Sequence, residues 1–182
     1  MSQLAILNGG VNGWTEAGMK LETGTGEPTP SEIEVSFSDQ WLATREDVLA
    51  IVNGEQEATL VDARPESFWA GDQAHPAAAR PGTLPQSEYL THSSWFGDAP
   101  VIVDAEKARA LAAENELQDG APIISFCNTG HWAATDWFVL SELAGFDEVA
   151  LYDGSMAEWS QDSSRPIQVA KQGLGKLLDL FN

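Results

Sequence analysis

The feature that most constrains the fold is the alternation of short apolar runs with segments of helical periodicity. Residues 59–62, 122–126 and 149–152 are runs of four or five mostly apolar residues, which are typical of buried strands. Helices are predicted before and between these runs, with Thr44 and Asp104 at the N-cap positions of two of them. Strands that alternate with helices in this way predict an α/β fold, with a central mostly parallel sheet and helices on both faces.

Local patterns predict two further elements. Ile33, Val35 and Phe37 alternate with polar residues, as on a half-buried strand. A helix over residues 133–144 is expected to end at Gly145, because glycine readily adopts the left-handed conformation found at many helix C-termini.

The chain is expected to form one main domain with a shorter segment at each end. Residues 22–32 have few apolar side chains and many turn formers, which indicates a linker. We therefore predict a main domain over residues 30–165, a preceding segment of residues 1–26, and a C-terminal tail of residues 166–182 with a short helix. Within the first segment, residues 4–7 are predicted to form a buried strand.

An internal repeat links the two ends of the chain. Residues 7–14 and 152–159 share a pattern of strand, polar residue, glycine and small residue, with a tryptophan five positions after the glycine. Because the second copy closes an α/β unit, the first is interpreted as the end of another unit whose body is not in this chain. A chance match of a short pattern is the alternative.

The chain is strongly acidic, with 9 Lys and Arg residues against 28 Asp and Glu residues and a formal net charge of −19. Nucleic acids and anionic membrane surfaces are bound by clustered cations, so neither partner is expected. No run approaches the roughly 18 apolar residues of a membrane span, and the N-terminus lacks the features of a secretory signal. We expect a cytoplasmic protein, or a periplasmic one if a longer precursor carries a signal.

Cys127 is the only cysteine in the sequence. An internal disulfide, a Cys-x-x-Cys redox pair and a multi-cysteine zinc site are therefore excluded, and no metal or cofactor is predicted. The residue follows a predicted buried strand and precedes a helix, at the sheet edge where open α/β sheets bind ligands. Backbone N–H groups of such a loop favour anionic sulfur. A buried, inert cysteine is the alternative, which the polar residues after Cys127 disfavour.

Nucleophilic hydrolysis with a histidine base is a competing hypothesis for Cys127. His131 lies four residues away, while His75 and His92 lie elsewhere in the sequence. A cysteine hydrolase needs a base held by a third group, and no such arrangement is evident in the sequence. His131 is therefore predicted to line the loop instead of acting as a base.

Three motifs together point to a known family. The cysteine loop is followed by an Asp-Gly-Ser turn at residues 153–155, a strand ends in an Asp-x-Arg pattern at Asp62 and Arg64, and residues 81–85 form a Pro-Gly-x-x-Pro turn. These motifs resemble the rhodanese-family sulfurtransferases, in particular the C-terminal catalytic domain of tandem-domain thiosulfate and 3-mercaptopyruvate sulfurtransferases. Residues 4–26 resemble the end of a preceding rhodanese domain. The loop that carries the resemblance reads Cys127-Asn128-Thr129-Gly130-His131-Trp132-Ala133.

The resemblance implies a rhodanese-like fold and a two-step sulfur transfer. Cys127 would take sulfur from thiosulfate or 3-mercaptopyruvate as a persulfide and pass it to a thiol or cyanide. A non-catalytic binding or regulatory module, or a persulfide carrier, is the alternative. The implied protein partners are a missing N-terminal rhodanese domain or a second copy bound through residues 1–26. Asp62 is expected to be a structural residue near the site, and pairing with a nearby carboxylate is the alternative role for Arg64. The residues expected to bind substrate or persulfide are Asn128, Thr129, Gly130, His131, Trp132, Arg64 and Arg80.

Several positions depart from the family pattern. Thiosulfate-using members usually carry basic residues just after the cysteine, where this chain has Asn128 and Thr129. Tandem members often have a second arginine at the position of Phe68. The related phosphatases need an arginine six residues after the cysteine, where Ala133 stands, so phosphatase activity is not expected.

Overall fold

A four-stranded parallel sheet forms the centre of the protein. The computed structural model describes residues 5–30, 32, 34, 36, 38–97 and 100–169. The strands lie in the order β2-β1-β3-β4, and each neighbouring pair is parallel. This confirms the predicted mostly parallel α/β sheet, while the strand predicted on Ile33, Val35 and Phe37 lies outside the described residues. The strands are β1 (Thr59–Asp62), β2 (Glu88–Tyr89), β3 (Ile123–Phe126) and β4 (Val149–Leu151).

Six α-helices occur in the part of the chain that the structure describes: α1 (Gly10–Glu16), α2 (Arg45–Val52), α3 (Glu66–Trp69), α4 (Ala105–Glu114), α5 (His131–Phe138) and α6 (Ser155–Trp159). Both predicted N-caps are confirmed. The Thr44 hydroxyl accepts a hydrogen bond from the Asp47 N–H at 3.2 Å, and the Asp47 carboxylate accepts one from the Thr44 N–H at 2.8 Å. The Asp104 carboxylate likewise accepts from the Lys107 N–H at 2.9 Å, at the start of α4.

The helix predicted over residues 133–144 differs in shape from the expectation. It begins two residues earlier, at His131, and after α5 it continues as a π-helical segment, Val139–Ala144. Gly145 follows with φ 83°, so the predicted left-handed C-terminus is confirmed. Short 3₁₀ helices are found at Asp39–Trp41 and His92–Trp95.

The two faces of the sheet carry separate apolar clusters. On one face, Val61, Ile123 and Val149 pack with residues of α4 and the π-helical segment. On the other face, Leu60, Ile124 and Phe126 pack with α2 and α6. Successive strand residues point to opposite faces, and this alternation accounts for the division between the clusters. Helices therefore cover both faces, as the sequence predicted.

The N-terminal segment does not form the predicted strand. Ile6 and Leu7 are 66% and 55% exposed, and no described strand pairs with them. The segment is instead attached by Asn8, whose side chain donates to the Ile102 carbonyl at 3.1 Å and accepts from the Ile102 N–H at 2.8 Å. No helix in the described ranges has the length and apolar character needed to cross a membrane.

The beginning of the predicted C-terminal tail contacts the main domain. Thr83 and Gln168 exchange two backbone hydrogen bonds, of 2.8 and 2.9 Å. These bonds hold residues 167–169 beside the turn at Gly82, where an added Cβ would lie 2.5 Å from Ile167. The predicted tail helix would involve residues 170–182, which lie outside the described residues.

Asp136 is a buried carboxyl group on α5 with an incomplete set of hydrogen bonds. Its Oδ1 accepts from the Trp95 indole N–H at 2.9 Å, whereas Oδ2 has no partner among the described residues. Burial raises the pKa of Asp136 well above its usual range. The folded protein therefore keeps a proton that the unfolded chain releases above about pH 4, so this group lowers stability as the pH rises.

We expect Asp136→Asn to increase the free energy of unfolding near neutral pH. Asparagine keeps the acceptor for Trp95 and removes the titration, which gives a gain on the order of 1 kcal/mol or more at about pH 7 and much less at about pH 4. Urea unfolding at both pH values measures the gain. Glu57→Gln, which removes an exposed carboxylate, is the control. A gain that is the same at both pH values would contradict this interpretation.

Candidate active site

The cysteine loop lies where the central strand β3 ends. Cys127 follows β3 directly, and Gly130 precedes α5 with φ 85°. A side chain at position 130 would place its Cβ 3.1 Å from the Asp153 carbonyl oxygen, so glycine is required both for the turn and for this close approach. The prediction that Cys127 lies at the carboxyl edge of a central strand, close to a helix N-terminus, is confirmed.

Hydrogen bonds to the first residues of α6 hold the loop in place. The Cys127 N–H donates to the Ser155 hydroxyl at 3.0 Å, and that hydroxyl donates to the Tyr152 carbonyl at 2.9 Å. The Cys127 carbonyl accepts from the Met156 N–H at 3.1 Å. The loop therefore depends on the short helix that follows β4.

The backbone N–H groups that follow Cys127 in the loop have no acceptor among the described residues. Those of residues 128–132 donate no hydrogen bond to any group in the described part of the chain. Buried N–H groups normally have a partner, and a row of unpaired N–H groups at a turn and a helix N-terminus forms a concave site for an anion. This arrangement suits the negative charge of a thiolate or persulfide.

Cys127 lies beneath a small cavity. The residue is 1% exposed and packs with Ala63 and Ala133. The cavity beside it has a volume of about 230 Å³, which is enough for a small molecule. None of the described residues that line it is a lysine, arginine, aspartate or glutamate; they are His75, Cys127, Asn128, Thr129, His131 and Trp132.

Four of the five predicted loop residues line this cavity, and Gly130 is the exception. The Thr129 hydroxyl lies 3.4 Å from Nδ1 of His131, and both side chains are exposed. The Trp132 ring is fixed by stacking on His92, with ring centroids 4.8 Å apart, and by an edge contact with Phe68 at 6.2 Å. Phe68, at the position where the family pattern has a second arginine, therefore belongs to an aromatic contact with Trp132.

Arg64 does not line the cavity, so the structure favours the alternative of carboxylate pairing over substrate binding. Its guanidinium is buried and forms two hydrogen bonds with Asp62, of 2.8 and 2.6 Å. It also donates to the Gly82 carbonyl at 2.8 Å and to Oδ1 of Asn128 at 3.4 Å. Because these hydrogen bonds go to Asp62, Gly82 and Asn128 and the residue is not part of the cavity lining, Arg64 is a positioning residue for the Asn128 side chain.

Arg80 also differs from its predicted role. Its guanidinium donates to the carbonyls of Ser160, Asp162 and Arg165 at 3.1, 2.6 and 3.1 Å. Carbonyl groups at and beyond the end of a helix have no partner within the helix. The guanidinium of Arg80 donates hydrogen bonds to such carbonyls after α6. The side chain is therefore structural and does not reach the cavity.

Comparison with known proteins decides the family. The family model described as a rhodanese-like domain matches residues 44–162. The chain belongs to the rhodanese family. This match falls within the main domain predicted from the sequence, residues 30–165, and includes the whole cysteine loop.

Two curated proteins and one solved structure illustrate the likeness. The rhodanese chain is 30% identical over 171 residues to the sulfur carrier protein TtuD of Thermus thermophilus, covering 89% of this chain and 60% of that protein. It is 29% identical over 168 residues to a putative thiosulfate sulfurtransferase, SseB, of Mycobacterium tuberculosis, covering 92% and 58%. The chain thus spans about three fifths of the length of these relatives.

The solved structure shows the likeness of fold. It is the anaerobic ergothioneine biosynthesis enzyme from Chlorobium limicola, in complex with trimethyl histidine. The TM-score is 0.76 at 21% identity, and the match covers 89% of this chain and 40% of that one.

Two residues at the rhodanese site were not identified from the sequence. The Ser155 hydroxyl accepts the hydrogen bond from the Cys127 N–H. Its place in the Asp-Gly-Ser turn is the sequence signal that could have identified it. His75 lies in an irregular region, 52 positions before the cysteine, and reaches the cavity only through the tertiary fold. Its neighbour Pro76 marks a turn, which is the one local signal for its placement.

Proposed function

We propose that this rhodanese domain transfers sulfane sulfur from an anionic donor, thiosulfate or 3-mercaptopyruvate, to a thiol or cyanide through a persulfide on Cys127. The observation that supports this proposal is the row of N–H groups at residues 128–132 that have no acceptor among the described residues and lie beside a cysteine at a cavity. Such N–H groups stabilise negative charge on sulfur in both steps of the transfer.

The first step forms a sulfur–sulfur bond to the cysteine. The Cys127 thiolate attacks the outer sulfur of thiosulfate or the thiol sulfur of 3-mercaptopyruvate, and the bond from that sulfur to the rest of the donor breaks. Its electron pair leaves with sulfite when thiosulfate is the donor, or with the enolate of pyruvate, which takes up a proton, when 3-mercaptopyruvate is the donor. The cysteine then carries the transferred sulfur as a persulfide.

The second step returns the free thiolate. A cyanide or thiolate acceptor attacks the outer sulfur of the persulfide, and the electron pair of the broken bond returns to Cys127. Because the chain has a single cysteine, no second thiol within it converts the persulfide to an internal disulfide. The Thermus relative is named as a sulfur carrier protein. The alternative function for this chain is a persulfide carrier, which would share the first step and pass the sulfur to a protein acceptor.

The neutral cavity predicts weak binding of doubly charged thiosulfate. The protein carries a formal net charge of −19, which repels anions at long range. None of the described residues lining the cavity supplies a fixed positive charge. Attraction to the donor must therefore come from N–H and O–H groups at short range.

We expect Thr129→Lys to raise kcat/KM for thiosulfate about three- to tenfold, with a smaller rise for singly charged 3-mercaptopyruvate. Thr129 is exposed at the cavity, so an added ammonium group approaches the donor without being buried. Steady-state kinetics with cyanide as acceptor measure both donors. Thr25→Lys adds the same charge to an exposed residue in the linker and is the matched control. Unchanged thiosulfate kinetics would show that missing loop charge does not limit this donor.

A further inference from the structure

His75 is the one residue lining the cavity, in the part of the chain described, that lies outside the cysteine loop and α5. Its Nδ1 accepts a hydrogen bond from the Ala77 N–H at 3.1 Å. A neutral imidazole has one donor nitrogen and one acceptor nitrogen. Because Nδ1 accepts, the proton is on Nε2, and this nitrogen is left as a donor.

The segment that carries His75 is anchored to the same helix as the cysteine loop. The Gln161 side chain donates to the Ala77 carbonyl at 2.9 Å, and the Ala79 N–H donates to the Ser160 hydroxyl at 2.8 Å. Arg80 binds the carbonyls after α6, and Ser155 at the start of α6 holds Cys127. The helix α6 and the two residues after it therefore hold both His75 and Cys127. Arg80 is one of the residues that attach the segment of His75 to the end of this helix.

We propose that His75 is a donor-binding residue, whose Nε2–H hydrogen-bonds to the anionic end of the sulfur donor. That end is a sulfonate oxygen of thiosulfate or the carboxylate of 3-mercaptopyruvate. The inference rests on the proposed function. The transferred sulfur must lie against Cys127, where the loop N–H groups surround it, so the opposite end of a small donor occupies the remainder of the 230 Å³ cavity. His75 borders that space from a separate segment and takes the place of the basic residues absent from the loop.

Two substitutions at position 75 distinguish the role of the Nε2–H group from the role of Nδ1 in the turn. His75→Asn keeps an acceptor for the Ala77 N–H but lacks a donor at the position of Nε2, whereas His75→Gln places an amide N–H near that position. We expect KM for thiosulfate to rise about tenfold in His75→Asn, with kcat within about twofold of the wild type. In His75→Gln we expect KM within about threefold of the wild type. Thermal unfolding of both variants reports any loss of folding.

Inorganic polysulfide is a sulfur donor without an oxyanion end, so it tests whether His75 acts on that end of the donor or on sulfur transfer in general. We expect His75→Asn to form the Cys127 persulfide from polysulfide at the wild-type rate. Equal KM values for thiosulfate in His75→Asn and wild type, or an equal loss of rate with polysulfide, would overturn the role of His75 while leaving sulfur transfer intact. Failure of the wild type to form a persulfide with any donor would overturn the proposed function, and the assignment of His75 with it.

Discussion

Replacing Arg64 with methionine is expected to lower the free energy of unfolding by about 3–5 kcal/mol. Arg64 and Asp62 are 2% and 0% exposed, and the guanidinium forms two of the hydrogen bonds to the carboxylate. Without it, the donors left to the carboxylate within the described part of the chain are the Thr83 hydroxyl, at 2.6 Å, and the N–H of residue 64, at 3.1 Å. A buried charge without its counter-ion is among the most destabilising changes known in proteins.

A double variant tests the origin of this loss. Asp62→Asn with Arg64→Met removes both charges, so we expect it to recover about half of the lost stability or more. Arg80→Met removes a guanidinium whose hydrogen bonds, among the described residues, all go to carbonyl groups, and a loss of about 1–2 kcal/mol is expected from that change. Urea unfolding of the three variants measures these differences. A double variant no more stable than Arg64→Met alone would show that the unpaired carboxylate is not the cause.

Replacing Cys127 with serine is expected to reduce kcat/KM for sulfur transfer at least about 10³-fold with either donor. A hydroxyl is far less ionised than a thiol near neutral pH, and it cannot form the proposed persulfide. Because the residue is small and buried, the change alters packing little, and we expect the variant to fold. Thermal unfolding and kinetics with cyanide measure the two effects separately. Turnover by Cys127→Ser close to that of the wild type would contradict a covalent role for Cys127.

Features set by neighbouring residues could be predicted from the sequence. The strand leading to Cys127 is a continuous apolar run, and the Thr44 cap bonds to a residue three positions away. The fold class followed from the order of such elements, since strands and helices in alternation pack in few ways. The position of the cysteine at the sheet edge followed from the same local order.

Features that depend on distant contacts could not be predicted. Pairing of Arg64 with a nearby carboxylate could be anticipated, because Asp62 lies two positions away. The contact of Arg64 with Asn128 across 64 positions and that of Arg80 with Ser160 across 80 depend on the tertiary fold and could not be predicted. His75 comes to the cavity only because its turn is bound to residues after α6. Ile6 and Leu7 form an apolar run, but a strand also needs a neighbour, and none is found in the described ranges.

Intact-protein mass spectrometry after incubation with thiosulfate or inorganic polysulfide tests sulfur transfer through Cys127 most directly. The wild type is expected to gain about 32 Da, the mass of one sulfur atom, and to lose it on addition of cyanide with release of thiocyanate. Cys127→Ser is expected to gain no mass under the same conditions. Absence of the adduct in the wild type with both donors, or an equal adduct in Cys127→Ser, would contradict the persulfide on Cys127.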